Sequence, residues 1–591
     1  MKKALIIAGL FGLVFSTGCK QTEEKEDSLS IEGNVKEVRF TPGNTEPQTL
    51  TITSSTEWHL SVSQTWVSVT PEAGEAGEAT LTVALEEEEC AETRTASVTI
   101  TAGTAQASFN VVQEAPADPE SIEIVAAQRR LVVGQTLPLT VTVAPQGAVL
   151  EGPVEYSSSD ESVASVDQEG VVTAVAVGEA VIKAVADGME AEYPVEVTEE
   201  FTTDGLGVEY TFEMLRDLPA GIVSGENGTY TVNASMTLAD GDRLVMDGTS
   251  TLLIADGVRI TVLGTLNFTP SEQAVIQPVD ATAEPDYLYF TETGGGTLSN
   301  VKLVCFPIRN FGGQPLTIEN CELSGVVQNY AAINLGSEVL TTVRNCTIKD
   351  NVREGISGGA NIPSPLLFEN NHLENNSYDS RNRPQINVTV GGAGTVEIIG
   401  NTVVGPFETT MNGGIAVANM MGISGTNKVL IEGNDVRGCR YGITTNGTMD
   451  VRIIDNVLVD NKYESNAMNG GSGVSIYNSN GGQKVYMSGN HIEGHLWGIT
   501  NIGNVSGGTG PELNLGNLTE GDDYNPGGNV FINNGNGGVL YDLYNNSPLT
   551  VYAQGNTWNV EVQDEESIEK VIFHKKDNPS LGEVIFMPPA E

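Results

Sequence analysis

The sequence predicts an all-β chain in which two β-sandwich modules precede a long parallel β-helix, and three observations carry that reading. Between Val301 and Trp558 an aliphatic residue, two spacers, an Asn or Cys, one spacer and another aliphatic residue keep returning. Examples are Ile318-Glu-Asn-Cys321-Glu-Leu323, Phe368-Glu-Asn-Asn371-His-Leu373, Ile398-Ile-Gly-Asn401-Thr-Val403, Ile431-Glu-Gly-Asn434-Asp-Val436, Ile453-Ile-Asp-Asn456-Val-Leu458 and Met487-Ser-Gly-Asn490-His-Ile492, with weaker copies at Val301, Asn529 and Asn556. A second phrase, Gly followed by Ile or Val, interleaves at Gly355, Gly414, Gly442, Gly473, Gly498 and Gly538. Ahead of both, the first 200 or so residues alternate as short strands broken by Gly, Pro and Ser/Thr turns.

A repeat of roughly 20 to 35 residues with period-2 apolar alternation marks a solenoid of strands. The residue before each repeated Asn or Cys is Asn, Asp or Gly, from Asn300 and Asn320 through Gly433 and Asp455 to Gly555. These types tolerate positive φ, so the column reads as a left-handed corner. The next column then points inward and stacks coil on coil about 4.8 Å apart. Buried carboxamides need partners, and a ladder of Asn371, Asn401, Asn434, Asn456 and Asn490 bonding to one another and to turn backbone supplies them. Those five residues are read as structural.

The 591 residues exceed one ordinary core, so several domains are expected. Lys+Arg 29 against Asp+Glu 77 gives a formal net charge of -48, which argues against a nucleic-acid partner and repels polyuronates unless a cation or a local Arg/Lys cluster intervenes. At the start, Lys2-Lys3, an apolar run from Ala4 to Phe15 and Ser16-Thr17-Gly18-Cys19 have the order of a secretory leader too short to span a bilayer as a mature helix. The stretch resembles a bacterial lipoprotein signal over residues 1–18, which implies cleavage before Cys19 and lipidation of its thiol. The charged tether over residues 19–28 resembles the acidic surface-export tag of Bacteroidetes lipoproteins. That resemblance implies an outer-membrane lipoprotein facing outward.

Residues 29–115 contain Trp58-His-Leu-Ser-Val, Trp66-Val-Ser-Val-Thr-Pro71, Glu92-Thr-Arg94-Thr-Ala-Ser-Val-Thr-Ile-Thr101 and Phe109-Asn-Val-Val-Gln113. They resemble the BACON domain, which occurs in Bacteroidetes glycan-handling proteins, was named for suspected carbohydrate binding and in some members looks like a spacer. Trp58 and Trp66 are either sugar platforms or sandwich core. After a Pro/Ala/Asp linker, residues 119–199 carry Tyr156-Ser-Ser-Ser-Asp160-Glu-Ser-Val163-Ala-Ser-Val166 and Gly170-Val-Val-Thr-Ala174. This order resembles the group 2 bacterial immunoglobulin-like domain, which implies a stalk or spacer.

Residues 200–591 form the third part, and they resemble right-handed parallel β-helix proteins. Val245–Gly257 and Ile260–Phe268 read as the first rungs, with earlier residues capping the open end. Asp564 to Ile572 has helical spacing with acids in its first turn, and with Val584–Phe586 it reads as the C-terminal cap. The six Cys do not make a disulfide framework, and Cys321 and Cys346 read as small buried hydrophobes.

The coils starting at Asn371, Asn401 and Asn456 hold extra residues at one corner, whereas those at Asn434 and Asn490 are minimal. The extras supply Tyr378, Asp379, Arg381 and Arg383; Phe407 and Glu408; Lys462, Tyr463 and Glu464. Tyr441 and Trp497, just before the Gly-Ile phrase, extend the same rim. Aromatics interleaved with acids and bases suit a sugar groove, because ring faces stack and charged forks bind hydroxyls or carboxylates. Solvated loops of no function are the competing reading. A second insertion, Val505 to Asn525, includes Asp522 and Asp523, a calcium candidate. No other cofactor is implied, and a monomer is expected.

Enzymes on such a scaffold need two carboxylates at fixed separation, or a base with a group that neutralises a uronate. The ordered polygalacturonase set Asn-Thr-Asp, Asp-Asp, Gly-His-Gly, Arg-Ile-Lys is missing, as is Asp-Pro-His-Glu of alginate epimerases, and Arg381-Asn-Arg383-Pro384 only echoes the pectate lyase motif. The leading expectation is therefore a lipid-anchored surface protein whose β-helix binds a polysaccharide without cleaving it. A polysaccharide lyase or glycoside hydrolase at the rim, with Arg381, Arg383 or Lys462 pairing substrate carboxylates, and a purely structural surface protein are the alternatives.

Overall fold

The computed structural model describes residues 26–591 apart from 43, 88–89, 146, 360, 380 and 406–410. The leader, Cys19, most of the acidic tether, Phe407 and Glu408 lie outside the described residues. Two compact units divide the chain: one ends at Val125 and also takes in Leu139–Ser157 and Lys183–Glu192, and the other holds the rest, including everything from Tyr193 onward.

In the first unit, strands Leu29–Ile31, Gln48–Ser54, Gly77–Leu85 and Val67–Thr70 form one sheet of a sandwich. Glu37–Phe40, Ala105–Gln113, Arg94–Ala102, Trp58–Val62 and Ala73–Gly74 form the other. Both tryptophans sit in its core, Trp58 at 2% and Trp66 at 6% exposure, so neither offers a ring face to a sugar. A Cβ at Gly74 would lie 2.8 Å from the Trp58 ring, which explains the glycine. In the second module, Ser121–Val125 pairs with Thr140–Ala144, and Val171–Ala174 lies between Thr136–Pro138 and Ala164–Val166.

Three long sheets build the second unit. The first sheet has 14 strands from Phe201–Thr202 to Ile572–Phe573, the second has 14 from Glu209–Tyr210 to Val584–Ile585, and the third has 13 from Val223–Glu226 to Val530–Ile532. The chain visits them in rotation, and every pairing is parallel except that of Val223–Glu226 with Thr229–Val232. This is a parallel β-helix. Register stacks one inward aliphatic per strand: Ile386, Ile415, Ile443, Val474, Ile499 and Leu543 in the first sheet, and Ile398, Ile431, Ile453 and Met487 in the second. One continuous core runs from Phe201 to Phe586. Among the described residues no helix is long and apolar enough to cross a membrane.

Three expectations need correction. Windings begin before Val245, since Phe201–Thr202, Met236–Leu238 and Arg243–Val245 already pair in register; strands of two or three residues are too short to display alternation. Only helix Phe212–Asp217, capped by the Thr211 hydroxyl, acts as a plug, with Phe212 against Tyr230 and Phe268. Next, the stretch from Val505 to Asn525 is not one insertion, because Glu512–Gly516 lies inside it and continues the second sheet. Finally, Gly538-Val539 belongs to an outlying hairpin of Gly535–Asn536 and Val539–Leu540, and the rung position falls to Asp542-Leu543.

The residues before the repeated Asn or Cys all have positive φ, between 52° at Asn320 and Asp455 and 77° at Gly528. Beyond each, a side chain turns inward at the corner between the second and third sheets. The backbone N–H and Nδ2 of Asn401 both donate to Asn434 Oδ1 at 2.9 Å, while Nδ2 also reaches Phe368 O. The same two-donor pattern links Asn371 to Asn401, Asn434 to Asn456, Asn456 to Asn490, Asn490 to Asn529 and Asn529 to Asn556. Burial of so many amides is tolerated because each has its partners.

The Gly-Ile phrase has a steric cause. A Cβ at Gly414, Gly442, Gly473 or Gly498 would lie 2.3 to 2.7 Å from a carbonyl oxygen of the next coil. Backbone cannot retreat there without breaking the ladder of strands, so only glycine fits.

A second inward column follows at the corner between the third and first sheets. Val326 N donates to Asn351 Oδ1, Asn351 Nδ2 to Asn376 Oδ1, and Asn376 Nδ2 to Gln385 Oε1. Further along, Cys439 N donates to Asn461 Oδ1, and Asn461 Nδ2 lies 3.3 Å from His495 Nε2. His495 Nδ1 lies 3.1 Å from Asn534 Oδ1, and Asn534 Nδ2 donates to Asp542 Oδ1. His495 thus acts as a neutral imidazole in an asparagine's place, donating from Nδ1 and accepting at Nε2. Burial pushes its pKa down to about 4 and that of the Asp542 carboxyl up to about 7.

Candidate functional site

Alternation that turns Ile386, Ile415, Ile443, Val474, Ile499 and Leu543 inward turns their neighbours Asn387, Ala416, Thr444, Ser475, Thr500 and Tyr544 outward, in register along the first sheet. Small hydroxyl and amide side chains therefore floor this face. Aromatic rings rise at its edge, where the chain enters the strands: Tyr441 beside Gly442, and Trp497 opposite Ser472. The Tyr441 ring lies over Gly413, where a Cβ would meet it at 2.2 Å. Burial raises the Tyr441 phenol well above its ordinary pKa.

Between these residues opens a groove of about 510 Å³ lined by Tyr441, Trp497, Tyr544, Thr444, Ser472, Ser475, Thr500, Asn546, Asn382, Arg440 and the loop Ala467–Gly470. Trp497 packs its ring 4.8 Å from both Tyr541 and Tyr544, and Tyr544 stacks on Phe573 at 4.7 Å. The Trp497 indole N–H donates to Ala467 O at 2.9 Å and so ties the long loop to the aromatic wall. Arg440 holds two loops at once: Nε and Nη2 donate to Asn469 O, and Nη1 donates to Asn382 Oδ1. Among the described residues Arg440 has no carboxylate partner, whereas Arg383 lies 2.8 Å from Asp379 and 3.6 Å from Glu354.

Of the candidate residues, the groove gathers Tyr441 and Trp497. Tyr378, half-exposed, and Arg381, exposed and 3.6 Å from Asp379, sit on the loop whose Asn382 reaches the groove without lining it themselves. Arg383 and Asp379 form an ion-pair cluster with Glu354, a buried acid that sequence reading missed. Lys462 pairs with Asp460 at 2.9 Å, Tyr463 is half-exposed, and Glu464 accepts from Asn466 N. None of these three is part of the lining. Asp522 and Asp523 lie in a separate concavity of about 390 Å³ on the second sheet, beside Arg452 and Lys484. Among the described residues no three His, Cys, Asp or Glu side chains converge as a metal site. Arg440 and Tyr544, the other main groove residues, carried only a faint signal. Arg440 directly follows the inward Cys439, and Tyr544 follows the inward Leu543, so each is outward by alternation.

The groove's electrostatics stand apart. Among the described residues its lining has one charged side chain, Arg440, and no acid, although acids outnumber bases 77 to 29 along the chain. The concavity of about 660 Å³ near the first coils contains Glu209, Asp247 and Glu272, and the one on the second sheet contains Asp450, Glu512, Asp522 and Asp523.

Compared with known proteins, residues 56–114 match BACON, described as "Putative binding domain, N-terminal", and residues 119–197 match the bacterial Ig-like domain (group 2). These domains are compatible with a surface binding or adhesive role. A Bacteroides ovatus GH5 xyloglucanase in complex with a XXXG heptasaccharide is similar over 18% of this chain and 22% of its own, at 26% identity and a TM-score of 0.15. Domains 4 and 5 of the S-layer protein SbsC are similar over 18% of this chain and 66% of theirs, at 24% identity and a TM-score of 0.15. The D0-D1 domain of Intimin is similar over 29% of this chain and 97% of its own, at 14% identity and a TM-score of 0.12. Thus the chain spans about a fifth of the xyloglucanase and two thirds of the S-layer fragment. No curated protein matches it.

Proposed function

We propose that this is a lipid-anchored, surface-exposed monomer whose β-helix binds a polysaccharide in the groove of the first sheet without cleaving it. The observation that carries the reading is the lining itself. Tyr441, Trp497 and Tyr544 give the lining aromatic carbon against which sugar rings can pack, and Thr444, Ser475, Thr500 and Asn546 offer donors and acceptors to hydroxyls. Among the described residues the lining has no carboxylate and no histidine, and its tyrosine beside Arg440 titrates too high to act as a base near neutral pH. Binding is thereby favoured over hydrolysis or elimination. BACON and the Ig-like domain support a surface role, and the lipoprotein-like leader supports an anchor at Cys19.

Incubation of the whole protein with a polysaccharide panel tests this. Retention on a glycan with no turnover is expected. New reducing ends, or ultraviolet absorbance from unsaturated products, would replace the reading by an enzymatic one, and no retention on any glycan would leave a structural protein. For the anchor, Cys19→Ser should abolish incorporation of a labelled fatty acid, and persistence of the label in that variant removes the lipoprotein assignment.

A further inference from the structure

We infer that the groove selects a largely neutral polysaccharide carrying isolated acidic substituents, with Arg440 as the residue that reads them. This rests on the glycan-binding reading above and sharpens it. An arginine has five N–H donors. Arg440 uses three, on the Asn469 carbonyl and the Asn382 side-chain oxygen, which leaves one N–H on each terminal nitrogen. Both acceptors are uncharged, so they fix the guanidinium in place without neutralising it. A half-buried cation with two spare donors suits an oxyanion, bound as a fork-on-fork pair.

The rest of the lining limits how much negative charge is tolerated. Beyond Arg440 the described lining is uncharged, with rings, hydroxyls, amides and the aliphatic Met468 and Ile502, and these match neutral sugar units. Outside the groove, a net charge of -48 and acid-lined neighbouring concavities oppose a polyanion. One cation in a groove with no acid among the described residues, on an acidic molecule, therefore fits one anionic group among several neutral sugars.

The test uses the whole protein and a panel of neutral polysaccharides in three forms: untreated, oxidised at C6 to about one uronate in six sugars, and oxidised throughout. A fourth set, sulfated as sparsely, separates carboxylate from sulfate. Sparse oxidation or sulfation should strengthen retention roughly tenfold, the scale of a charge-assisted bond, and added salt should shrink the gain. Full oxidation should reduce retention below that of the sparse form. Arg440→Gln should erase the preference for the sparse form while keeping retention of the untreated one, and Trp497→Ala should weaken both alike. Equal retention of untreated and sparsely oxidised or sulfated forms by the native protein overturns the inference and leaves the binding groove standing. So does strongest retention of the fully oxidised form. No retention of any form overturns the groove as well. The native comparison needs no variant, so it decides the matter even if Arg440→Gln does not fold.

Discussion

The third sheet is bounded by two corners only five positions apart in each coil, as at Asn456 and Asn461 or Asn490 and His495, and they differ in what they admit. At the first corner the inward residues from Asn371 to Asn556 are all asparagine, and from Asn371 to Asn490 the turn is kept to its minimum, the one insertion being residues 517–529 ahead of Val530. At the second, Asn351, Asn376, Asn461 and Asn534 share the column with Val326, Cys439 and His495, and loops leave just beyond it, the longest after Asn461 and Asn534. The inward bond is completed before the chain leaves, so an insertion downstream costs little order in the core. Repetition marks the corner that holds the solenoid together, and variety marks the corner that builds the groove.

That contrast can be broken at its strict end first. Asn434→Ala removes the acceptor of two Asn401 donors and the side-chain donor to Ile398 O, leaving Asn456 Oδ1 only the backbone N–H of residue 434; a loss on the order of 4 kcal/mol in urea unfolding is expected, and a loss under about 1 would deny the ladder its role. Gly442→Ala presses a methyl to 2.5 Å from Gly473 O and should cost ~2 kcal/mol by the same assay. At the permissive corner the effects turn from stability to ligand. Trp497→Ala should weaken glycan retention about tenfold in affinity electrophoresis, with the fold checked by circular dichroism.

The smallest effect concerns pH. The Asp542 carboxyl, raised to about 7 from 3.8, makes stability fall as pH climbs from about 4 toward 7, because the folded state holds the proton longer. His495, lowered to about 4 from 6.5, makes stability rise over about pH 4 to 6.5, because the unfolded state holds more protons there. The two slopes oppose each other, so a nearly flat melting temperature is expected over that span. His495→Asn keeps the ladder's bonding chemistry and removes one slope, so its melting temperature should fall between pH 4 and 7; a flat profile there would show that Asp542 does not titrate as stated.

Much of the fold was legible because its constraints recur. Stacked amides and close carbonyls demand the same residue every coil, and the Asn and Gly columns are what such demands look like in a chain. The second corner obeys a rule of the same kind, written less plainly. Asp350, Asn375, Gly438, Asp460, Gly494 and Asn533 all have positive φ directly before an inward residue, five positions after the first corner's pair. Varied side chains hid that pairing. The candidate site was legible only at Tyr441 and Trp497, whose place before the Gly-Ile phrase fixes their direction. Arg383 and Arg440 look alike in sequence, and what separates them is whether a carboxylate from another turn, Glu354, arrives beside one of them.

The amide column has a direction. In each link the donors belong to the earlier coil and the acceptor to the later one, until Asn556 closes the series on the carbonyls of Leu515 and Ala553. A growing or translocating chain therefore presents each new turn with open N–H groups that only the turn behind it can satisfy. The winding locks in arrears, each corner closed only when the coil after it is in place.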